Sequence, residues 1–276
     1  MSSVHVDIDR VSKVYRSRRD DIEAIREVSL QIGYGEFVSL LGPSGCGKST
    51  LLLAAGGLLP LTAGTIRIDG EQVTGPRREI GVVFQTPVLM PWRSVLKNIL
   101  FPIENLGLPM RPARQRARAL LEMTGIQEFA ENFPWELSGG MQQRGAICRA
   151  LIHHPTLLLM DEPFSALDAM TRDDMNLELL RIWEEERKTV LFVTHAIREA
   201  VFLSDRVFVM SPRPAVIRKV VSIDLPRPRD IEIQETPEFN RYVSEIRQAI
   251  ERQTGKGLAG ERQEAATVRA RRGVTP

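Results

Sequence analysis

Three short segments of the chain carry residue types suited to handling phosphate. The first is Gly42-Pro43-Ser44-Gly45-Cys46-Gly47-Lys48-Ser49-Thr50, which follows an apolar run that reads as a strand and precedes the helical run 51–58. Glycines let backbone amides turn inward on an anion, and the helix N-terminus adds a favourable dipole. Lys48 supplies a point charge, and the Ser49 hydroxyl suits Mg²⁺. The plainer reading is a glycine-rich turn, but such a pattern arises by chance only on the order of once in a hundred chains of this length.

The second segment is Leu157-Leu158-Leu159-Met160-Asp161-Glu162-Pro163, a buried-strand run ending in two adjacent carboxylates. Parallel sheets place their binding crevice at such strand ends. Asp161 would hold Mg²⁺ through water, and Glu162 would aim at a water in line with a terminal phosphate, as general base or orienter. Alone, the pair is equally compatible with a cap or a solvated turn. Together with the phosphate loop it points to a nucleotide hydrolase. The third segment is Leu137-Ser138-Gly139-Gly140-Met141-Gln142-Gln143-Arg144, at the start of a predicted helix. It reads either as a second anion-binding helix terminus or as an ordinary N-cap with a flexible entry. One phosphate loop serves one ATP, so a second terminus raises the question of whose phosphate it would bind.

The elements that must position these segments alternate. Short apolar runs at 28–32, 37–41, 66–68 and 80–84 are bounded by Gly, Asp or Pro and read as strands. From about 95 to 151 the pattern is helical. Strands at 157–160, 189–194 and 206–210 then alternate with helices at 169–187 and 197–203, which implies a mostly parallel sheet. An amphipathic helix is expected at 239–252, with Tyr242, Val243, Ile246 and Ile250 on one face, followed by a basic, frayed tail from about 255.

Composition bounds the rest. At about 150 residues per domain, 276 residues make one or two domains. Lys+Arg 37 against Asp+Glu 35 offers no global case for nucleic acid or an anionic membrane as main partner. Cys46 and Cys148 are too few for a disulfide scaffold or a zinc site, which points to a reducing compartment. No stretch reaches the roughly 18 apolar residues of a membrane span, and no secretory signal is expected.

Gly42 to Thr50, Gln85, Leu137 to Arg144, Leu157 to Pro163, Ser165-Ala166-Leu167-Asp168 and His195, in that order, resemble the nucleotide-binding subunit of an ATP-binding cassette transporter. The resemblance runs from about residue 6 to 211. Gly81 to Gln85 followed by Leu89-Met90-Pro91-Trp92 and Asn98, with Met210-Ser211-Pro212-Arg213-Pro214, is similar to the nitrate, sulfonate and taurine importer group. The implied fold is α/β: a P-loop NTPase core with a mostly parallel sheet, an antiparallel β subdomain and an inserted helical subdomain at about 91–152. The cassette would span 1–230, with a C-terminal helical extension at 231–254 and a disordered tail at 255–276.

The resemblance also implies site roles. Two subunits would meet head to tail, so that Ser138, Gly139 and Gly140 of one cap the terminal phosphate of ATP held by Lys48 of the other. Gln85 would join Ser49 and Asp161 around Mg²⁺ and report to the membrane partner, while Asp168 would link the two sites. His195 would contact the terminal phosphate and pair with Glu162. Tyr15 fits the adenine-stacking aromatic, an interaction of roughly 1–3 kcal/mol per base; the alternative is a strand-end tyrosine. Cys46 occupies a variable loop position where its thiol is incidental, and Trp135 stands where His is commoner. His5, His153 and His154 are read as solvated loop residues. Residues 86–92 would be core of the helical insertion or the lining of a groove for a short helix from a transmembrane subunit.

The implied function is an ATPase subunit, a homodimer peripheral to the cytoplasmic face of the inner membrane. It would power import of a small anion with a permease and, indirectly, a solute-binding protein, and no nucleic acid is expected. A soluble cassette ATPase acting on nucleic acid or the ribosome is the alternative, though such proteins usually carry two cassettes or a long coiled-coil insertion. A P-loop kinase or GTPase would not need Leu137 to Arg144.

Overall fold

The computed structural model describes residues 4–16, 20–165 and 167–251, so the expected frayed tail and Ala166 lie outside the described residues. Two sheets organise the chain. The larger has six strands in the order β10-β9-β3-β8-β7-β6, where β3 is Phe37–Leu41, β6 Ile80–Val83, β7 Leu157–Asp161, β8 Thr189–Thr194, β9 Arg206–Met210 and β10 Ile217–Ser222. All its pairings are parallel except that of β9 with β10. The mostly apolar sequences of β3, β7 and β8 are explained by burial on both faces. Strands 37–41, 189–194 and 206–210 and helix 197–203 lie where the sequence pattern places them.

Alternate residues of these strands point into two cores. Val38, Leu40, Leu157, Leu159, Leu191 and Val193 pack with α1 (Lys48–Ala55) and the second sheet. Phe37, Leu41, Leu158, Met160, Val190 and Phe192 pack on the opposite face against helices. These are α2 (Val95–Asn105), α3 (Met110–Met123), α4 (Gly139–Leu151), α5 (Ala169–Glu186), α6 (Ile197–Leu203) and α7 (Pro237–Glu251). α2, α3 and α4 form the insertion between β6 and β7. α1 starts at Lys48 rather than 51 because the phosphate loop feeds directly into its first turn.

The second sheet is antiparallel, in the order β2-β1-β4-β5, with β1 Val4–Tyr15, β2 Ile22–Gly33, β4 Ala63–Ile68 and β5 Glu71–Gln72. Sequence pattern alone missed β1, β5 and β10 and shortened β2 and β4. Bulges explain the two long strands: Arg10 and Glu27 adopt positive φ at register shifts in the β1–β2 ladder, which breaks the period-two alternation. Gly64 is required beside one of them, since a Cβ there would lie 2.3 Å from the Arg10 carbonyl oxygen.

Two histidines depart from the expected solvated state. His5 is 1 % exposed, His153 is half-buried, and only His154 is exposed. His5 stacks on Tyr34 at 4.4 Å, its Nδ1 lies 2.7 Å from Thr189 Oγ1, and its Nε2 is 3.6 Å from the Asp69 carboxylate. It ties the antiparallel sheet to the start of β8. Burial lowers its pKa, and Asp69 only partly opposes this. Below about pH 6.5 the unfolded chain therefore takes up a proton that folded His5 resists, so its stabilising contribution is present above that pH and is lost as pH falls. Thermal unfolding of the wild type should fall more steeply from about pH 7 to about pH 5 than that of His5→Gln. Parallel curves would remove His5 from the pH dependence.

Candidate active site

The parallel ladder sets the site. Leu41 pairs with Thr194 and Asp161 with Val193, so β3, β7 and β8 release the chain along one edge at Gly42, Glu162 and His195. Binding crevices of open α/β sheets lie at this edge. Gly47, at φ 125°, enters α1 with no side-chain cap, and a Cβ there would sit 2.8 Å from the Ala24 carbonyl oxygen. The first amides of α1 are thus left to an anion.

Lys48 is 4 % exposed. Its Nζ donates to the Gly42 and Pro43 carbonyls at 2.9 and 3.1 Å and lies 3.7 Å from Glu162 Oε1. Glu162 adopts a left-handed φ of 42° and donates its amide to the Val193 carbonyl, and His195 Nδ1 lies 2.9 Å from its Oε2. A non-glycine residue held there stores backbone strain of a kind that clusters at functional sites. One carboxylate thus stands between a buried ammonium and an exposed imidazole.

Ser49 Oγ donates to Asp161 Oδ1 at 2.9 Å. Burial pushes the Asp161 carboxyl up, the Glu162 charge adds to this, and Ser49 and Lys48 oppose it. A desolvated carboxylate beside a hydroxyl is a hard-oxygen donor pair that fits Mg²⁺. Gln85 is exposed, and its Nε2 donates to Ser165 Oγ at 3.3 Å. Among the described residues no cluster of three His, Cys, Asp or Glu forms a metal site.

A cleft of about 270 Å³ opens over the loop, walled by Tyr15, Ala24, Gly45, Lys48, Glu162 and Arg213. Tyr15 ends β1, and its hydroxyl lies 3.2 Å from Thr50 Oγ1. Cys46 is buried and burial raises its thiol pKa, while Ser44 lies exposed in the same loop. The second glycine pair lies elsewhere. Ser138 caps α4, accepting from the Met141 amide at 3.3 Å, and neither it nor Gly139 or Gly140 walls the Lys48 cleft. Ser138 and Gly139 are exposed, and a Cβ on Gly139 would meet nothing within 4 Å. Asp168 caps α5, accepting from the Thr171 amide at 3.0 Å and its hydroxyl at 2.7 Å, which lowers its pKa. Trp135 stacks on Phe133 at 4.6 Å, exposed beside this second terminus.

Sequence reasoning missed two residues of the site, Arg213 and Glu199. Arg213 follows β9 and reaches the loop only in the fold. Glu199 sits in the first turn of α6, 7 % exposed, and accepts from Thr194 Oγ1, which itself accepts from the Ala196 amide at 3.0 Å. These bonds brace the turn that carries His195. No spacing signal distinguishes Glu199 from a solvated helix residue; burial alone does.

The family model described as ABC transporter matches residues 25–165. The chain is 41 % identical to the nitrate import ATP-binding protein of Synechocystis sp., covering 88 % of this chain and 94 % of the relative. It is 45 % identical to the taurine import ATP-binding protein of Rhizobium johnstonii, covering 87 % and 94 %. A solved dimeric ATP-binding cassette in a post-hydrolysis state, bound to ADP and Pi, superposes with a TM-score of 0.72 at 34 % identity, covering 80 % of this chain and 100 % of that one.

Burial pushes the Glu199 carboxyl up to about 7, against the opposing effects of Thr194, Arg172 and His195 and with the Glu162 charge adding to it. The unfolded chain releases this proton near pH 4.3, about the reference value for Glu. The stability held by the protonated group is therefore complete below that pH and is lost as pH rises through about 7. Glu199→Gln should gain on the wild type in melting temperature between about pH 5 and about pH 8. A constant difference across that range would show that Glu199 does not titrate there.

Proposed function

Because the chain belongs to the ABC transporter family, we propose that it is the ATP-hydrolysing subunit of an importer for a small anion of the nitrate, sulfonate and taurine class. The observation that carries the chemistry is Glu162 held between Lys48 and His195 at the carboxyl edge of the parallel sheet. Lys48 and the first amides of α1 bind the phosphates, while Tyr15 supplies the wall for the base. Ser49 and Asp161, joined by Gln85, would hold Mg²⁺, which when bound neutralises charge on the phosphate oxygens. Glu162 orients the attacking water and takes its proton at an Oε, and His195 fixes that carboxylate and reaches the terminal phosphate.

A single copy leaves Ser138, Gly139 and Gly140 on a surface apart from the cleft. We assign them to the terminal phosphate of ATP held by a second copy, with Asp168 at the same interface; the similar solved cassette is a dimer. The route to a permease runs through residues 86–92. Leu89 is buried against the helical insertion, but Val88 is 58 % and Trp92 72 % exposed, an apolar surface suited to a short helix. This segment is tied to α4 by Arg149 donating to the Val88 carbonyl, and Gln143 of α4 donates to the Phe84 carbonyl just before it at 3.3 Å. Occupancy of the second glycine pair can therefore be felt at Gln85 and Trp92.

In this reading the cassette spans 1–230 with its helical insertion at 91–152, and the extension at 231–254 is an added element. No described helix is long and apolar enough to cross a membrane. The subunit would be peripheral, on the cytoplasmic face, with the solute handled by the permease and a solute-binding protein.

Glu162→Gln should keep ATP affinity, lose about 10²–10⁴ in turnover, and accumulate an ATP-bound dimer on size-exclusion chromatography. Unchanged turnover removes Glu162 from the chemistry, and a monomer at saturating ATP overturns the shared site. Purified from host membranes in mild detergent, the chain should bring a multi-span membrane protein with it. Recovery with ribosomes or nucleic acid alone would overturn the transport assignment.

A further inference from the structure

Arg213 reaches the phosphate loop from 168 residues away in sequence, with its Nε donating to the Gly45 carbonyl. Its turn is braced on both sides. Ser211 Oγ donates to the Pro212 and Pro214 carbonyls at 2.9 and 3.2 Å and accepts from the Val216 amide at 3.1 Å. The Ala215 amide donates to the Ala24 carbonyl, and the Arg26 amide to that of Ala215, each at 3.0 Å. The guanidinium is therefore delivered by a clamped turn rather than a free loop. Nη2 lies so close to Gly45 that a Cβ there would be 3.0 Å from it.

Arg213 walls two clefts: the one over Lys48, and another of about 640 Å³ lined by Arg26, Ser211 and Arg218. Arg26 is engaged with Glu23, whereas the guanidinium of Arg213 is docked on Gly45, on the side where Tyr15 and Lys48 stand. A guanidinium has five N–H donors, and the Gly45 bond uses one. We infer that Arg213 is a nucleotide-binding residue: it anchors Gly45 and donates its remaining N–H groups to the diphosphate portion of a purine nucleoside di- or triphosphate.

The inference rests on the ATP reading above. Its chemistry differs from that of Lys48: a planar fork matches two phosphate oxygens at once, whereas an ammonium acts as a point charge. Because ADP and ATP share the diphosphate, Arg213 sets affinity for both alike. Calorimetric titration of the full chain with ATP, ADP and adenosine tests it. Arg213→Gln, which can keep a donor for the Gly45 carbonyl but has no charge, should bind ADP and ATP about tenfold more weakly, the effect of one charged hydrogen bond. Adenosine binding should be unchanged, and the salt dependence of ADP affinity should become shallower. Arg213→Lys should recover part of the loss. Wild-type ADP affinity in Arg213→Gln, or an equal loss for adenosine, overturns the inference. Lys48→Ala separates the two levels. If it too binds ATP as the wild type does, the phosphate-loop reading fails; if it loses ATP while Arg213→Gln does not, only the role of Arg213 fails.

Discussion

The parallel pairing of β3 with β8 and of β8 with β7 is the constraint on which the rest of the molecule depends. Hydrogen-bonded strands lie about 4.8 Å apart, so three chains leaving the sheet at the same end are held within side-chain reach of one another. Leu41 opposite Thr194, and Asp161 opposite Val193, place Lys48, Glu162 and His195 on one edge although they are far apart in the chain. A slip of one residue would turn the side chains of a strand to its other face and separate the two cores that Phe37 and Val38 enter from opposite sides. The site thus inherits its geometry from apolar packing that never touches it.

Electrostatics then make that edge reactive. A buried ammonium needs partners, and Lys48 has two loop carbonyls and Glu162. Asp161 is desolvated beside Glu162, which disfavours its charge. Glu162 itself is held in a left-handed conformation by the hydrogen bond from its amide to the Val193 carbonyl of β8 and by His195. These features describe a site organised for charges it does not itself supply.

The layers around the sheet connect this edge to the remainder of the chain. α6 follows His195 directly, and Arg198 on it stacks on Phe239 and donates to the Gln234 carbonyl at 2.9 Å and to Asn240 Oδ1 at 3.2 Å. α7 buries Phe239, Tyr242, Val243 and Ile246 in the same core as α6. α7 is therefore packed against the helix that follows the His195 turn. On the other side, the antiparallel sheet brings Tyr15 to the mouth of the cleft and, through β2, clamps the turn after β9 that carries Arg213.

Where one interaction dominates, the amino-acid sequence was sufficient. Mostly apolar runs specified β3, β7 and β8, because a strand buried on both faces admits a polar residue only where it finds a partner, as Ser39 does in Ser204. The glycines, lysine and serine of the loop and the Asp-Glu pair were legible because phosphate chemistry demands those types in that order. The bulged strand β1, the burial of His5, the brace of Glu199 and the approach of Arg213 were decided only by tertiary structure. Each depends on how the packed chain surrounds it: the pairing of β1 with both β2 and β4, Thr189 and Asp69 around His5, the burial of Glu199 in α6, and the Gly45 carbonyl 168 residues from Arg213. A histidine, a glutamate or an arginine has the same local pattern whether it faces water or a pocket, and only the packed neighbours distinguish the two.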